Sequence, residues 1–447
     1  MNKIIVTILT VFLSLSIGIA NAQNISDEVE IAAPNSTVER EWLIMVYMSG
    51  VNDLGILGYV DLNLNAMESV NLTQKVTVVA HYNAMRTGEN NELQFQECSE
   101  TRHIHHDSVT NKVTSPVIYT SSYDCNMGNW EQLTRFAIPN MLDEFPAKKT
   151  LLIIWGHGEG HNGIAHDDVG GRGGSNISVK QLGSALSYIT KTTGRKLDII
   201  ATDASFMQMA GVAYEIKDYA KVIIGSEESI PGQGYPYKSI LTDLNNNPEM
   251  DARELASIMV KDYADYYSDK ELTIAAVRNY GESGYSGGTT ISAIDAALMP
   301  PFIKLLNDWV DALMSNANDY KKIAKLYVGE NASCFGSLYV ERSKGTRSID
   351  LCDFIDHVDN VLSDNTKAKE AGEKLRDFVT SKLIISHKGV GTKSGTEWLY
   401  DARTCGLAVY MPKKFRFDGS YNQLIFARDS RWDDFIRGIL IILEEAK

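Results

Sequence analysis

Two short apolar runs constrain the fold of this chain more than any other feature of its sequence. The first covers residues 151–155 and is followed by His157 between two glycines; the second covers residues 197–201 and is followed by Asp203 and Ser205. Unbroken apolar runs of this length, flanked by helical patterns, are typical of strands buried on both faces of a parallel sheet. In open α/β sheets, ligands bind at the carboxyl ends of such strands. We therefore expect His157 and Ser205 at two strand ends, where a base can lie beside a nucleophile.

The surrounding pattern predicts an α/β fold with a mostly parallel central sheet. Strand-like runs at residues 41–48, 76–80 and 221–226 alternate with helical periodicity, as in right-handed βαβ units. Residues 41–300 are predicted to form a large catalytic domain, and residues 301–447 a smaller C-terminal α/β region packed on it. Further helices are predicted at residues 129–143, 179–190, 206–218, 251–267, 300–317, 349–363, 365–384 and 432–445, with further strands at 290–295 and 406–412.

The N-terminal residues are typical of an export signal. Lys3 precedes an apolar run that ends at Ala20, and small residues surround Ala22. Residues 1–22 are therefore predicted to be a signal peptide that is cleaved near Ala22, which makes the protein secreted or periplasmic. The alternative is a membrane anchor; no stable anchor is expected once the signal is removed. The polar residues 23–40 lack periodicity and are predicted to form a flexible leader.

Charge and cysteine usage exclude several classes of partner and site. The 447 residues include 43 basic and 57 acidic ones, for a formal net charge of −14. This balance argues against nucleic acid or anionic membrane surfaces as partners. The five cysteines show neither CxxC nor Cys–His spacing, so no metal site is predicted. Cys98 and Cys125 are a candidate disulfide pair, and the odd count leaves one thiol over.

A glycine-rich segment lies between the two apolar runs. Residues 170–174 place four glycines around Arg172, a composition that does not form regular structure and that marks exposed loops open to proteolysis. An ordinary surface loop is the alternative. Asp167 and Asp168 precede it and are a weak candidate for a calcium site, since two adjacent acidic residues are usually only solvated.

Three blocks of this sequence resemble the clostripain family of cysteine endopeptidases. They are IIWGHGEGHNG at residues 153–163, DIIATDASFMQMAGVAYE at 198–215 and IIGSEESIPGQGYPY at 223–237. Similarity continues at residues 41–54, 350–358, 406–412 and 421–436, so it covers most of the chain after the leader. The resemblance implies a caspase-like αβα sandwich and cleavage of peptides after Arg or Lys. It also implies that His157 is the catalytic imidazole and that Asp203 lines the pocket for the basic residue.

The sequence departs from the family at the nucleophile. The family has Asp-Ala-Cys where this chain has Asp-Ala-Ser, ending at Ser205. A thiol has a pKa of about 8.5 and ionises readily beside an imidazole, whereas a hydroxyl needs a tightly held base and usually a third orienting group. The first hypothesis is a clostripain-type peptidase that is inactive, or nearly so, because of Ser205. The second is a working serine hydrolase that uses Ser205 and His157. The third is a non-catalytic exported protein that binds basic peptides in the cleft that the peptidases of the family use for their substrates.

Roles are also expected for residues other than His157, Asp203 and Ser205. Members of the family are often activated by cutting themselves after a basic residue between the catalytic strands, which points to Arg172, with Lys180 a poorer choice because it lies in a predicted helix. Glu227 and Glu228 are candidates for added negative charge in the specificity pocket, with a solvated loop as the alternative. No cofactor is expected, apart from the calcium that some relatives use. The expected partners are peptides or proteins with Arg or Lys before the scissile bond.

Overall fold

The computed structural model describes residues 39–88, 90–121, 125–171, 173–268, 287–328, 334–335, 348–392, 400–412 and 417–445. The predicted signal peptide, nearly all of the predicted leader and Arg172 lie outside these residues. Within the described ranges, the structure contains no helix of the length and apolar character needed to cross a bilayer.

A ten-stranded sheet forms the centre of the fold. Its strands run in the order β14-β11-β10-β9-β6-β1-β2-β4-β5, and β3 pairs with the far end of β2. Two small sheets, β7-β8 and β12-β13-β15, complete the strand pairing of the described residues. The strands are β1 (Arg40–Gly50), β2 (Val76–Thr87), β3 (Leu93–Phe95), β4 (Glu100–His103), β5 (Val117–Thr120), β6 (Ala147–Trp155), β7 (Ile164–Asp167), β8 (Ser175–Ile177), β9 (Leu197–Asp203), β10 (Ala220–Gly225), β11 (Gly287–Asp295), β12 (Cys334–Phe335), β13 (Ser348–Asp350), β14 (Ile384–Thr392) and β15 (Ala408–Tyr410).

The predicted mostly parallel central sheet is confirmed. The five strands β2, β1, β6, β9 and β10 pair in parallel, whereas β4 and β5 at one end and β11 and β14 at the other are antiparallel. Strand β14 belongs to the predicted C-terminal region and yet extends the central sheet. The division of the chain at residue 300 stays a prediction.

Helices cover both faces of the sheet, and their ends show clear local signals. Ser178 with Gln181, and Asp251 with Glu254, form capping boxes that satisfy the first backbone N–H groups of two of these helices. The helices are α1 (Asp53–Ile56), α2 (Tyr59–Glu68), α3 (Trp130–Pro139), α4 (Val179–Thr193), α5 (Ala210–Ile216), α6 (Tyr237–Asn246), α7 (Ala252–Tyr267), α8 (Met299–Met314), α9 (Ala317–Val328), α10 (Leu351–Val361), α11 (Thr366–Phe378), α12 (Tyr400–Arg403), α13 (Ile425–Asp429) and α14 (Trp432–Glu445).

The alternation of side chains along β1 divides the interior into two cores. Leu43 and Met45 pack in the core that also contains residues of α3, α4, α5 and α8, whereas Ile44 and Val46 pack with α2, α6 and α7. All four side chains are buried, which explains why β1 is a continuous apolar run. A sheet covered by helices on both faces is an αβα sandwich, as the sequence predicts.

The predicted helix over residues 206–218 begins later than expected, at Ala210. Residues 206–209 are instead held in an irregular path by neighbouring segments, because the Gln208 N–H donates to Ser226 O and the Ala408 N–H donates to Gln208 O. These tertiary hydrogen bonds replace the helical ones in the first predicted turn. Sequence periodicity carries no information about such partners.

The candidate pair Cys98 and Cys125 forms no disulfide. Both remain as separate thiols, and the disulfide of the structure joins Cys352 to Cys405. Antiparallel pairing of β13 with β15 brings these two cysteines together, since each lies just beyond a strand end.

Loss of this disulfide should destabilise the protein measurably. The two cysteines are separated by 53 residues, and closing a loop of that size is expected to contribute up to about 4 kcal/mol to the free energy of unfolding. We expect the double replacement of Cys352→Ser with Cys405→Ser to lower the urea midpoint accordingly. The matched double replacement of Cys98→Ser with Cys125→Ser should change the unfolding free energy by less than about 1 kcal/mol. Equal effects of the two pairs would contradict the assignment.

Candidate active site

The two apolar runs end side by side, as predicted. Strands β6 and β9 are adjacent and parallel, with Trp155 in register with Asp203. The loops beyond them touch: a Cβ at Gly158 would lie only 2.4 Å from the backbone oxygen of Ser205. Only glycine permits this approach, and it brings the segment that carries His157 against the segment that carries Ser205.

The imidazole of His157 contacts a carboxylate that the sequence did not single out. His157 Nε2 lies 2.5 Å from Oδ1 of Asp53, at the start of α1. Burial acts to raise the pKa of Asp53, but the hydrogen bond and charge of His157 outweigh it and the pKa is lowered. Asp53 therefore stays ionised and can fix the orientation of the ring and stabilise its protonated form.

Asn52 sets the position of Asp53. The side-chain oxygen of Asn52 caps α1 by accepting from the Leu54 N–H, and its Nδ2 donates to the backbone oxygens of Ser49 and His166. Asn52 is fully buried. Its hydrogen bond to His166 connects the turn after β1 to strand β7, which follows β6 in the chain. The signal in the sequence was the polar cluster at the carboxyl end of β1, but only the structure shows that β1 is the parallel neighbour of β6.

The hydroxyl of Ser205 is held from the opposite side. Its Oγ accepts from the Ile230 N–H at 3.0 Å. The next residue, Phe206, has a φ of +64°, an uncommon conformation for a bulky side chain, and its N–H donates to Glu228 O. No hydrogen bond joins His157 to Ser205 within the described part of the chain. The two groups share a cleft without forming a bonded pair.

Asp203 forms the floor of the same cleft. The cleft is bordered by His157, Ser205 and the turn at residues 230–234, and Asp203 is only 3% exposed. Its Oδ2 accepts from the Tyr235 N–H and the Tyr237 hydroxyl, each at 2.9 Å. Its Oδ1 has no hydrogen-bond partner among the described residues.

Burial controls the protonation of Asp203. It raises the pKa of Asp203 to about 7, although the hydrogen bonds from Tyr235 and Tyr237 lower it. A carboxyl group with an unfilled acceptor and a pKa near neutrality gains most from a partner that carries positive charge. The arrangement is therefore suited to a buried cationic group.

The pocket role predicted for Glu227 and Glu228 is not supported, and the alternative of a solvated loop is wrong. Both side chains are 1% exposed, and neither is among the residues that line the cleft around Asp203. Glu228 Oε1 accepts from the Ser229 N–H. Glu227 faces Asp350 in the C-terminal region. The sequence shows that these residues are acidic but gives no sign of their burial.

The remaining predicted residues lie in the segment between the two strands. Lys180 is exposed and is the second residue of α4, as expected. The carboxylate oxygens of Asp167 accept hydrogen bonds from the N–H groups of Met127, Val169 and Gly170. Among the described residues no group of potential metal ligands includes Asp167 or Asp168, so the calcium hypothesis gains no support here.

The fold and the cleft define a class of α/β proteins in which an imidazole and a hydroxyl group share one edge of a parallel sheet. Sequence comparison makes the assignment specific: the chain matches the Clostripain family over residues 46–439 and belongs to it. No curated protein gives a significant match.

Solved structures of C11 proteases share this fold. A secreted C11 cysteine protease from Bacteroides thetaiotaomicron, in complex with an irreversible peptide inhibitor, has 18% sequence identity and a TM-score of 0.60, covering 88% of this chain and 99% of that one. An inactive zymogen C11 protease from Parabacteroides distasonis has 19% identity and a TM-score of 0.58, covering 88% and 98%. At these identities the likeness concerns the fold, and the αβα architecture is common to all three chains.

Gly234 is the position at which a minimal substitution should disturb the cleft floor. It has a φ of +68°, and a Cβ there would lie 2.6 Å from Asp203 Oδ2. We expect Gly234→Ala to lower the free energy of unfolding by about 2 kcal/mol or more, of which about 1 reflects the left-handed backbone. Gly194 has a φ of +71° with nothing within 4 Å, so Gly194→Ala isolates the backbone part. Equal costs in chemical denaturation would rule out the close approach to Asp203.

Proposed function

We propose that this chain is an exported clostripain-type endopeptidase scaffold that recognises Arg or Lys in peptides and is inactive, or nearly so, because Ser205 occupies the nucleophile position. The observation that carries this proposal is the shared cleft, in which Asp203, His157 and Ser205 meet at one edge of the sheet. Membership of a cysteine peptidase family supports peptides as the substrate class.

Recognition of the basic residue would rest on Asp203. A guanidinium or ammonium group entering the cleft finds Oδ1 without a donor, while Tyr235 and Tyr237 hold Oδ2 in place. A charge-assisted hydrogen bond of this kind contributes roughly 1.5–3 kcal/mol. The bound side chain would place the following peptide bond beside Ser205 and His157.

The environment of Ser205 explains why cleavage would fail. A serine nucleophile needs a base in close hydrogen bond to remove its proton, whereas a thiol ionises beside an imidazole with less precise contact. Here Ser205 Oγ is bonded to the Ile230 N–H and His157 Nε2 is bonded to Asp53. The site supplies a base but does not hold it against the hydroxyl.

One observation favours a serine hydrolase as the second candidate. Asp53, His157 and Ser205 are the three residue types of a serine triad, and Asp53 supplies the orienting group that a hydroxyl nucleophile requires. A non-catalytic protein that binds basic peptides is the third. Both remain distinguishable from the main proposal by activity.

Self-processing would take place at Arg172 in a chain with a competent nucleophile. Gly170, Gly171, Gly173 and Gly174 flank it, and their conformational freedom lowers the barrier to fitting this segment into a peptidase cleft. Lys180 is less suitable because α4 would have to unwind first. With Ser205 the chain is expected to remain intact.

Replacing one atom at the nucleophile should restore activity. We expect Ser205→Cys to cleave an Arg-containing fluorogenic peptide and to split near Arg172, because the thiol ionises near His157 without a bonded base. The original chain should do neither. Peptide fluorescence and intact mass, recorded on both proteins, measure the two effects.

His157→Ala in the Ser205→Cys background is the matched control and should remove both activities. If both the Ser and Cys forms are inert, the peptidase proposal fails and a binding protein is favoured. If the original chain cuts the peptide, the serine hydrolase is the correct function.

Binding of basic peptides should strengthen as pH rises through about 7. A cation is bound by the ionised form of Asp203, and the pKa of this group is raised to about 7. The ionised fraction of such a group rises about tenfold between pH 6 and pH 8, so the affinity of the uncleaved Ser205 protein for an Arg peptide should rise by a similar factor. Calorimetric titration at several pH values measures it.

Asp203→Asn should leave weak binding with little pH dependence. Asp198→Asn is the matched control, because Asp198 is a buried carboxylate at the other end of β9, paired with Lys221. An unchanged pH profile in Asp203→Asn would remove Asp203 from recognition.

A further inference from the structure

Two buried acidic side chains meet behind residues 205–208, the segment called the nucleophile loop below. Glu227, just after β10, is 1% exposed and interacts with the carboxyl group of Asp350, which is fully buried at the end of β13. Asp350 is well supplied with donors: its Oδ1 accepts from the Asp353 N–H and its Oδ2 from the Cys405 N–H. Among the described residues, neither oxygen of Glu227 accepts a hydrogen bond of full geometry, although the backbone N–H of Gly406 lies close enough to lower the pKa of Glu227 in part. Two ionised carboxylates in such a position would repel each other strongly.

A single proton shared by the pair would both give Glu227 a hydrogen-bond partner and remove the repulsion between the two carboxylates. A neutral Glu227 donates its O–H to Asp350, which satisfies Glu227 and removes one of two adjacent negative charges. Asp350 is the better candidate for the ionised partner because it already accepts two backbone N–H groups and caps α10. Burial, and then the charge of Asp350, raise the pKa of Glu227 well above its ordinary value.

The backbone around Glu227 is the support of the nucleophile loop. Ser226 O accepts from the Gln208 N–H, Glu228 O accepts from the Phe206 N–H, and the Ile230 N–H donates to Ser205 Oγ. Three hydrogen bonds thus connect residues 226–230 to residues 205–208. The side chain of Glu227 leaves this segment in the direction of the C-terminal region.

The C-terminal region contacts the nucleophile loop on the side opposite residues 226–230. The Ala408 N–H donates to Gln208 O, and the disulfide between Cys352 and Cys405 lies next to Asp350 along the chain and in space. The nucleophile loop therefore lies between residues 226–230, which follow β10, and strand β15. The contact of Glu227 with Asp350 connects residues 226–230 to the C-terminal region.

We propose that Glu227 is a positioning residue, which as a neutral acid bonded to Asp350 holds the segment 226–230 in the place that sets the geometry of residue 205. It does not touch the cleft. The proposal rests on the proposed role of residue 205 as the nucleophile position, and it assigns to Glu227 a function in place of the pocket charge expected from the sequence.

The pair is sensitive to rising pH. Since the neutral form of Glu227 is favoured in the folded protein, the stability it contributes is complete at low pH and is lost as pH rises through the raised pKa. The other charged groups at the pair are Glu228, which adds repulsion, and Asp353, which is paired with Arg403 at 2.8 Å. Loss of the proton should therefore loosen the segment that supports residue 205.

The test uses the thiol introduced by Ser205→Cys as a reporter that needs no peptide cleavage. Its alkylation by iodoacetamide is followed against pH, and digestion with mass spectrometry separates it from Cys98 and Cys125. In this background, Glu227→Gln keeps a donor toward Asp350 that cannot be lost at high pH. Glu227→Met has similar length without a donor.

We expect Glu227→Gln to react within about twofold of the parent at pH 7. It should lack the additional fall in thiol reactivity that the parent shows as pH rises through the raised pKa of Glu227. We expect Glu227→Met, folded by circular dichroism, to react about fivefold or more slowly, since the thiol leaves its position beside His157. Glu215→Gln is the control, because Glu215 is a buried acid that bonds to the Ile425 N–H in another part of the core.

Two results would overturn the proposal: a folded Glu227→Met that reacts at the parental rate, or identical pH profiles for the parent and Glu227→Gln. The second result decides the matter even if Glu227→Met does not fold. Failure of Ser205→Cys to cleave peptides, with the effects of Glu227 intact, would reject the peptidase proposal and leave this one standing.

Discussion

The parallel pairing of β6 with both β1 and β9 is the constraint on which the rest of the site depends. It aligns Trp155 with Met48 on one side and with Asp203 on the other. Three strands therefore end at the same edge of the sheet, and the loops beyond them carry Asp53, His157 and Ser205. A slip of one residue in either pairing would turn every side chain of the strand to the opposite core, so the two hydrophobic cores also fix the register of the cleft.

Much of the parallel sheet and of the cleft at its edge was predictable, because buried parallel strands can be recognised in a sequence as continuous apolar runs. His157, Asp203 and Ser205 follow such runs directly, and the structure brings all three to one cleft. Asp53 was missed because it belongs to a third strand, and only the order of strands in the sheet places that strand beside β6. Glu227 shows a related limit: the sequence reveals an acidic loop but not that this side chain is buried next to Asp350, which is distant in the chain.

Carboxyl groups in three environments account for most of the electrostatics near the cleft. Asp53 is partly exposed and contacts His157, which lowers its pKa; Asp203 is buried with one free acceptor, which raises its pKa to about 7. Glu227 is buried against another acid and is favoured in its neutral form. The same chemical group thus has a lowered or a raised pKa according to the donors and charges around it, and the three roles that we propose for these residues follow from that difference.

The most direct test of this account is a crystal structure of the uncleaved Ser205 protein with an Arg-containing peptide bound. The account predicts the guanidinium within hydrogen-bonding distance of Asp203 Oδ1, the carbonyl carbon of the next peptide bond beside Ser205 Oγ, and His157 still in contact with Asp53. A peptide bound elsewhere, or an arginine side chain directed away from Asp203, would contradict the central claim that this edge of the sheet is a cleft for basic peptides.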